Sequence, residues 1–224
     1  MRFVALVLLC AGLVHAQKPG MIRGVVAAPS GFGLEGAVVS AIPIFVPDGK
    51  GEASPVSRAS TSKVGAFVVS NLMPGSYRIC VAPGVDNLLD PCAWSENPPT
   101  WNLSEGEIAT TYIRIDEGVY LDIEVEDPDE KLEISEKQRS QGPAIRVLSV
   151  SHSGSIALFR EIETKSKQRT LRALLPKNSD VNLSVYSEFN IEDEKGAPAK
   201  TPESAAPLKI HTGTSNSKIN LRVK

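Results

Sequence analysis

The sequence predicts an all-β chain, two consecutive antiparallel β-sandwich domains behind an export signal, and three observations carry that prediction. The apolar residues are mostly Val, Ile, Leu and Ala, gathered in short runs that alternate with polar residues, the period of a half-buried strand. Gly, Pro, Asn and Asp punctuate those runs as turn signals. The length of 224 residues suits two domains of about 100 residues each. Lys+Arg 24 against Asp+Glu 26 leaves the chain near neutral, so there is no basic field to draw nucleic acid, which is not an expected partner.

Met1 to Ala16 reads as a signal peptide. Arg2, an apolar run from Phe3 to Val14 and the small-residue exit Val14-His15-Ala16 place cleavage before Gln17. The run is shorter than the about 20 residues that cross a bilayer, so the chain is not expected to span a membrane. Lipid attachment at Cys10 is the lesser reading, because Leu9 stands before it where a small residue is expected. Cleavage removes Cys10 and leaves Cys80 and Cys92, which in an exported chain are expected to form one disulfide. Closing that loop of roughly a dozen residues stabilises the fold by about 3 kcal/mol on the chain-entropy model.

Met21 to Ala28 (MIRGVVAA) and Ala37 to Ile44 (AVVSAIPI) read as the first two strands, Pro43 marking an edge or an end. Between them, Gly31 to Gly36 matches G-x-G-x-x-G. In dinucleotide-binding folds that pattern opens a helix at a pyrophosphate, whereas here a strand-like run follows, so an interstrand loop is the reading. Pro47 to Pro55 is a polar loop. Lys63 to Val81 then reads as a β-hairpin, with Phe67 and Val69 on one arm and Tyr77, Ile79 and Val81 on the other. Pro74-Gly75 makes its turn, and Gly75 there takes a positive φ.

The order Gly65, Phe67, Leu72, Pro74, Gly75, Tyr77, preceded by Ile22-Arg23-Gly24-Val25-Val26 and Gly36-Ala37-Val38-Val39, resembles the carboxypeptidase regulatory-like domain over about Met21 to Val125. The resemblance implies a small transthyretin-like (prealbumin-like) sandwich in an exported bacterial protein; the alternation of the two arms about the turn independently puts Phe67 and Tyr77 on a buried face. It carries no catalytic residue across. The ureide hydrolase of that fold ends in Tyr-Arg-Gly-Ser, and this sequence ends Asn220-Leu221-Arg222-Val223-Lys224.

Alternation turns Cys80 away from Tyr77 and Ile79, so Pro83 to Asn102 is expected to fold back over the outer face and to be pinned there by Cys92. That segment holds Trp94 and Trp101. Two exposed indoles would form a stacking platform for sugar rings, while two buried ones would seal the sandwich; packing is the preferred reading.

Glu107 to Ile115 and Val119 to Val125 alternate cleanly, and the second run either closes the first sandwich or opens the next. A boundary near Gly118 divides the chain into 1–16, 17–118 and 119–224. Seven residues from Glu124 to Glu136 are acidic, but the D-x-[DN]-x-[DN]-G pattern of a calcium loop is missing. A solvated interdomain loop without metal is predicted there. Six further runs, 144–151, 155–163, 170–175, 181–189, 208–212 and 218–223, predict a second β-sandwich. Lys165, Lys167 and Arg169 are placed at a hairpin tip as a soluble turn, and Gly196 to Pro207 as a mobile loop.

The mature chain holds only His152 and His211, and no H-E-x-x-H, G-x-S-x-G or C-x-x-C. His152 beside Ser153-Gly154-Ser155 reads as turn chemistry. No catalytic residue, metal or cofactor is expected. The expectation is a non-catalytic exported binding or structural protein of the cell envelope, secreted or periplasmic, that meets an envelope protein through sandwich edges and loops. The alternative is a carbohydrate-binding module using Trp94 and Trp101.

Overall fold

The computed structural model describes residues 17–44, 55–95, 97–139, 142–150, 156–200 and 208–224. The expected export segment with Cys10, most of the expected 47–55 loop and the expected His152 to Ser155 turn lie outside these residues.

Seven strands form the first unit: β1 (Gly20–Ala27), β2 (Val38–Pro43), β3 (Ser57–Ser60), β4 (Ala66–Leu72), β5 (Gly75–Ala82), β6 (Thr100–Leu103) and β7 (Ile108–Arg114). They build one sheet in the order β4-β1-β7 and another in the order β3-β2-β5-β6. Ile22, Val39, Phe67, Tyr77, Ile79 and Ile113 are among the side chains buried between them. A short helix α1 (Pro91–Trp94) lies in the connection from β5 to β6.

The second unit comprises β8 (Gly118–Glu126), α2 (Lys131–Arg139), β9 (Ile145–Val150), β10 (Ile156–Leu158), β11 (Arg160–Lys165), β12 (Gln168–Pro176), β13 (Asp180–Ser187), β14 (Ile191–Asp193), β15 (Pro198–Lys200), β16 (Leu208–His211) and β17 (Ser217–Val223). Its sheets run β11-β12-β8-β17-β14-β15 and β10-β9-β13-β16 around a separate core that includes Leu121, Ile123, Val147, Leu175 and Leu183.

The two units repeat one topology. In chain order, β1 to β7 correspond to β8, β9, β10, β12, β13, β16 and β17, and every neighbour relation carries over: 4-1-7 becomes 12-8-17, and 3-2-5-6 becomes 10-9-13-16. Strand directions carry over too, including a parallel pairing of the first strand with the last, β1 with β7 and β8 with β17. The chain is all-β, as expected, and its sandwiches are antiparallel throughout except for this one pair in each. Alternation in a sequence specifies which face of a strand is buried, but says nothing of the direction of its neighbour.

The predicted hairpin at Lys63 to Val81 is an arch. β4 pairs with β1 while β5 pairs with β2 and β6, so the corner at Pro74-Gly75 carries the chain from one sheet to the other. Both arms alternate because both face the same core. A bulge between the Ile22↔Val69 and Gly20↔Leu72 pairs, with Asn71 at φ 59, inserts one residue and returns Leu72 to the interior. The Tyr77 hydroxyl donates to the Met73 carbonyl at 2.7 Å and ties the arch shut. The G-x-G-x-x-G stretch is part of the same packing. A Cβ on Gly65 (φ 75) would stand 2.2 Å from the Val26 carbonyl oxygen and 2.8 Å from the Gly33 Cα, an approach only glycine permits.

Four expectations for the second half change. The acidic stretch is the end of β8 followed by α2, not a solvated loop: Asp127 is buried and accepts from the Lys131 and Leu132 amides at 2.9 and 2.8 Å, and Leu132 enters the core. Arg169 is not part of a soluble tip. Its side chain is 7% exposed and meets Glu136 at 2.7 Å and Glu161 at 3.6 Å, tying α2 to the sheet, whereas Lys165 and Lys167 do sit at the β11–β12 turn. The 155–163 run divides at buried Phe159 into β10 and β11, which join different sheets. β14 and β15 arise where no strand is predicted, β15 inside the expected loop.

Candidate functional site

The connections from the fifth to the sixth strand of each repeat differ most. In the second repeat, the β13–β16 connection folds into β14 and β15, and β14 pairs antiparallel with β17, extending that sheet. In the first repeat, the β5–β6 connection is held against β5 instead. Cys80 and Cys92 are joined with their Cα atoms 5.1 Å apart, Asp90 accepts from the Cys92 amide at 2.8 Å, and the Ile79 amide donates to the Pro99 carbonyl at 2.8 Å. Burial raises the Asp90 carboxyl above its usual range, against the lowering influence of the Cys92 and Val81 amides. Asp90 followed by Pro91 is the sequence signature of such a cap.

Restrained in this way, the connection leaves the outer edge of β7 open. The Glu107 carbonyl accepts from the Met21 amide and the Ile115 amide donates to the Ala27 carbonyl, both at 2.9 Å, so odd-numbered residues here direct their backbone groups to β1. The even-numbered Ile108, Thr110, Tyr112 and Arg114 turn theirs outward, where no backbone group among the described residues meets them. The corresponding edge of β17 is occupied: Arg222 pairs with Glu192, and the Lys224 amide donates to the Asn190 carbonyl at 3.0 Å.

A groove of about 590 Å³ borders this edge. Tyr112, Ile113 and Arg114 form one wall, Leu89, Pro91, Trp94 and Pro99 the other, and Glu117 and Lys177 close one end with an ion pair at 2.7 Å. The junction between repeats braces it. The Gly118 amide donates to the Asn87 carbonyl and the Leu89 amide to the Asp116 carbonyl, both at 2.9 Å, the Tyr120 hydroxyl donates to the Asp86 carbonyl, and Trp94 packs against the second core.

Trp94 and Trp101 are both half-buried and belong to different places. Trp94 lines the groove and leans on the second core; Trp101 lies on β6 opposite Tyr77 and packs against the first. Nothing in the pattern of the sequence points to Arg114, Glu117 or Lys177 as groove residues. A signal was available for Tyr112 alone, a large aromatic on the polar side of the alternating 107–115 run.

Elsewhere, the groups with displaced pKa values serve the framework. Burial opposes ionisation of Glu136, but hydrogen bonds from Arg169 and the Ala144 amide, with the Arg169 charge, hold its carboxyl below the usual range. Arg172 is raised by its two hydrogen bonds to Asp122 at 2.6 and 2.7 Å and lies over the Tyr120 ring, 5.1 Å from its centroid. No helix of the described residues is long and apolar enough to cross a membrane.

No family model matches the chain, and no curated protein matches it. Among solved structures, similarity to the Bacillus anthracis TIE protein covers 92% of this chain and 34% of that one at 12% identity, with a TM-score of 0.33. A streptococcal ancillary pilin is similar over 91% of this chain and 62% of its own at 14% identity, TM-score 0.39. The minor pilin of the Gram-positive pathogen Streptococcus agalactiae is similar over 92% of this chain and 95% of its own at 12% identity, TM-score 0.40. The chain thus spans less than two thirds of the first two proteins. The fold assignment rests on the strand order itself.

Proposed function

We propose that this chain is a non-catalytic exported protein of the cell envelope, secreted or periplasmic after removal of 1–16, that works as a structural or binding module through sandwich edges and loops. In this reading the first repeat is a carboxypeptidase regulatory-like sandwich and the second a diverged copy of it. The observation that carries the reading is the braced junction with its open edge. Disulfide, hydrogen bonds, ion pair and Trp94 fix one repeat to the next, and beside them a sheet edge with exposed backbone groups faces a preformed groove. Rigidity and an unfilled edge suit contact with another macromolecule.

Photo-crosslinking the intact protein in the envelope of its source cells tests this. A discrete adduct with an envelope protein is expected, and the absence of any adduct overturns the proposal. Glycan binding is the second reading, supported by Trp94 and Tyr112 lining one groove, with Trp101 outside it. A saccharide that shifts tryptophan fluorescence in the native protein but not in Trp94→Phe would favour it.

A further inference from the structure

We propose that β7 is a docking strand: an extended segment of a partner polypeptide pairs antiparallel with its free edge and lies in the groove between β7 and the α1 connection. The proposal deepens the binding function above and rests on it.

The molecule itself supplies the precedent. At the same place in the second repeat, the last strand β17 accepts β14 antiparallel, from a connection that leaves the fifth strand at the equivalent point. In the first repeat that connection is stapled to β5 by Cys80–Cys92 and forms the far wall of the groove rather than the next strand. The outward N–H and C=O groups of Thr110, Tyr112 and Arg114 are therefore left for a strand from elsewhere. Main-chain pairing of this kind supplies affinity, and pockets for alternate side chains supply selectivity.

The walls specify the occupant. Side chains on the inward side of the added strand meet Leu89, Trp94 and Ile113, and so are apolar. Those on the outward side lie beside the Arg114 guanidinium and Tyr112, 62% exposed, which in antiparallel order suits a carboxylate followed two residues later by an aromatic or β-branched residue. No proline stands where the added strand faces β7. A second copy of this chain fits less well. A single strand needs about 5 Å of width, a whole sandwich about 10 Å or more, and the edge here is recessed between α1 and the Pro176-Lys177 corner.

The test uses the intact disulfide-bonded protein and a displayed library of linear ten-residue peptides, followed by synthesis of a selected peptide carrying single backbone N-methyl groups. Methylation at alternate positions is expected to weaken binding about tenfold each, and methylation at the intervening positions to leave it unchanged. Tyr112→Pro deletes an outward N–H without touching the bonds to β1 and is expected to abolish binding, whereas Tyr112→Ala retains the methylation pattern. On binding, amide exchange at Tyr112 and Arg114 slows while Arg222 does not change. Failure to select any peptide, binding indifferent to the methylation pattern, competition by cello-, chito- or malto-oligosaccharides, or self-association that slows the same amides would each overturn the proposal. An envelope adduct formed without protection of Tyr112 and Arg114 would remove the docking strand and leave the proposed function standing; no adduct at all would remove both.

Discussion

Two copies of one seven-strand topology lie in tandem here, and the outer faces of their equivalent sheets differ. On β8, β12 and β17 the face is a ladder of charges: Asp122 with Arg172 at 2.6 Å, Glu124 with Lys218 at 2.5 Å and with Gln168 at 2.8 Å. On β4, β1 and β7 the same face shows Val68, Ile108 and Tyr112, each more than half exposed, around Arg23. That sheet of the second copy is also flanked by β11 on one side and by β14 and β15 on the other, while its counterpart in the first has three strands and, among the described residues, two free edges. The comparison teaches that the fold fixes the core, and that edges and insertions decide which copy is finished and which is left able to receive something.

Breaking the device peculiar to the first copy gives the largest expected effect. Cys80→Ser with Cys92→Ser costs about 3 kcal/mol in denaturant unfolding, in the first sandwich alone. Trp94 fluorescence changes with it as the groove wall loosens. If the variant unfolds at the wild-type midpoint, the staple has no structural role.

The second copy relies on a buried cation. Arg169→Ala strands Glu136 and Glu161, and because both acids are partly solvated the expected loss is about 2 kcal/mol, below that of a fully buried pair. The pH dependence follows from the depressed Glu136 carboxyl. Its contribution is fully present above the ordinary glutamate pKa and is lost as the pH falls through the lower folded value. Acid titration is therefore expected to weaken the second sandwich below about pH 4, and Glu136→Gln to flatten that slope. Asp90, raised by burial, acts in the opposite direction: its contribution is present below the ordinary aspartate range and lost as the pH rises through its folded value.

Tyr77→Phe keeps the ring and removes only the bond to Met73, an expected loss of about 1 kcal/mol confined to the first copy. The smallest change is a gain. The fully buried Ser149 hydroxyl on β9 has no hydrogen-bond partner among the described residues, so Ser149→Ala is expected to stabilise the second copy by about 0.5–1 kcal/mol, read as a raised midpoint with an unchanged denaturant slope.

Much of this architecture was legible in the sequence because side-chain alternation reports burial directly. Phe67, Val69, Tyr77 and Ile79 all face the core, and Cys80 faces away from it toward Cys92. Strand partnership was less legible. The same alternation serves a hairpin and an arch alike, which is why the Pro74-Gly75 corner reads as the first and is the second. The repeat is hidden for a related reason, since inward positions require apolar volume but no particular residue, and the two copies fill them differently. Asp127 and Arg169 look like solvent-facing charges in a polar stretch until α2 closes over them. The groove was not legible at all, because Tyr112, Trp94 and Lys177 meet only after both sandwiches and the disulfide are in place.

Residue-resolved amide exchange of the free protein tests most directly whether the first copy carries an unfilled edge. Tyr112 and Arg114 are expected to exchange at rates near those of an unstructured chain while Ile113 and Ile115 are protected, and the equivalently placed Arg222 is expected to be protected by β14. Protection of Tyr112 and Arg114 equal to that of Arg222 would mean the edge is already filled, and would contradict the reading of β7 as an open strand.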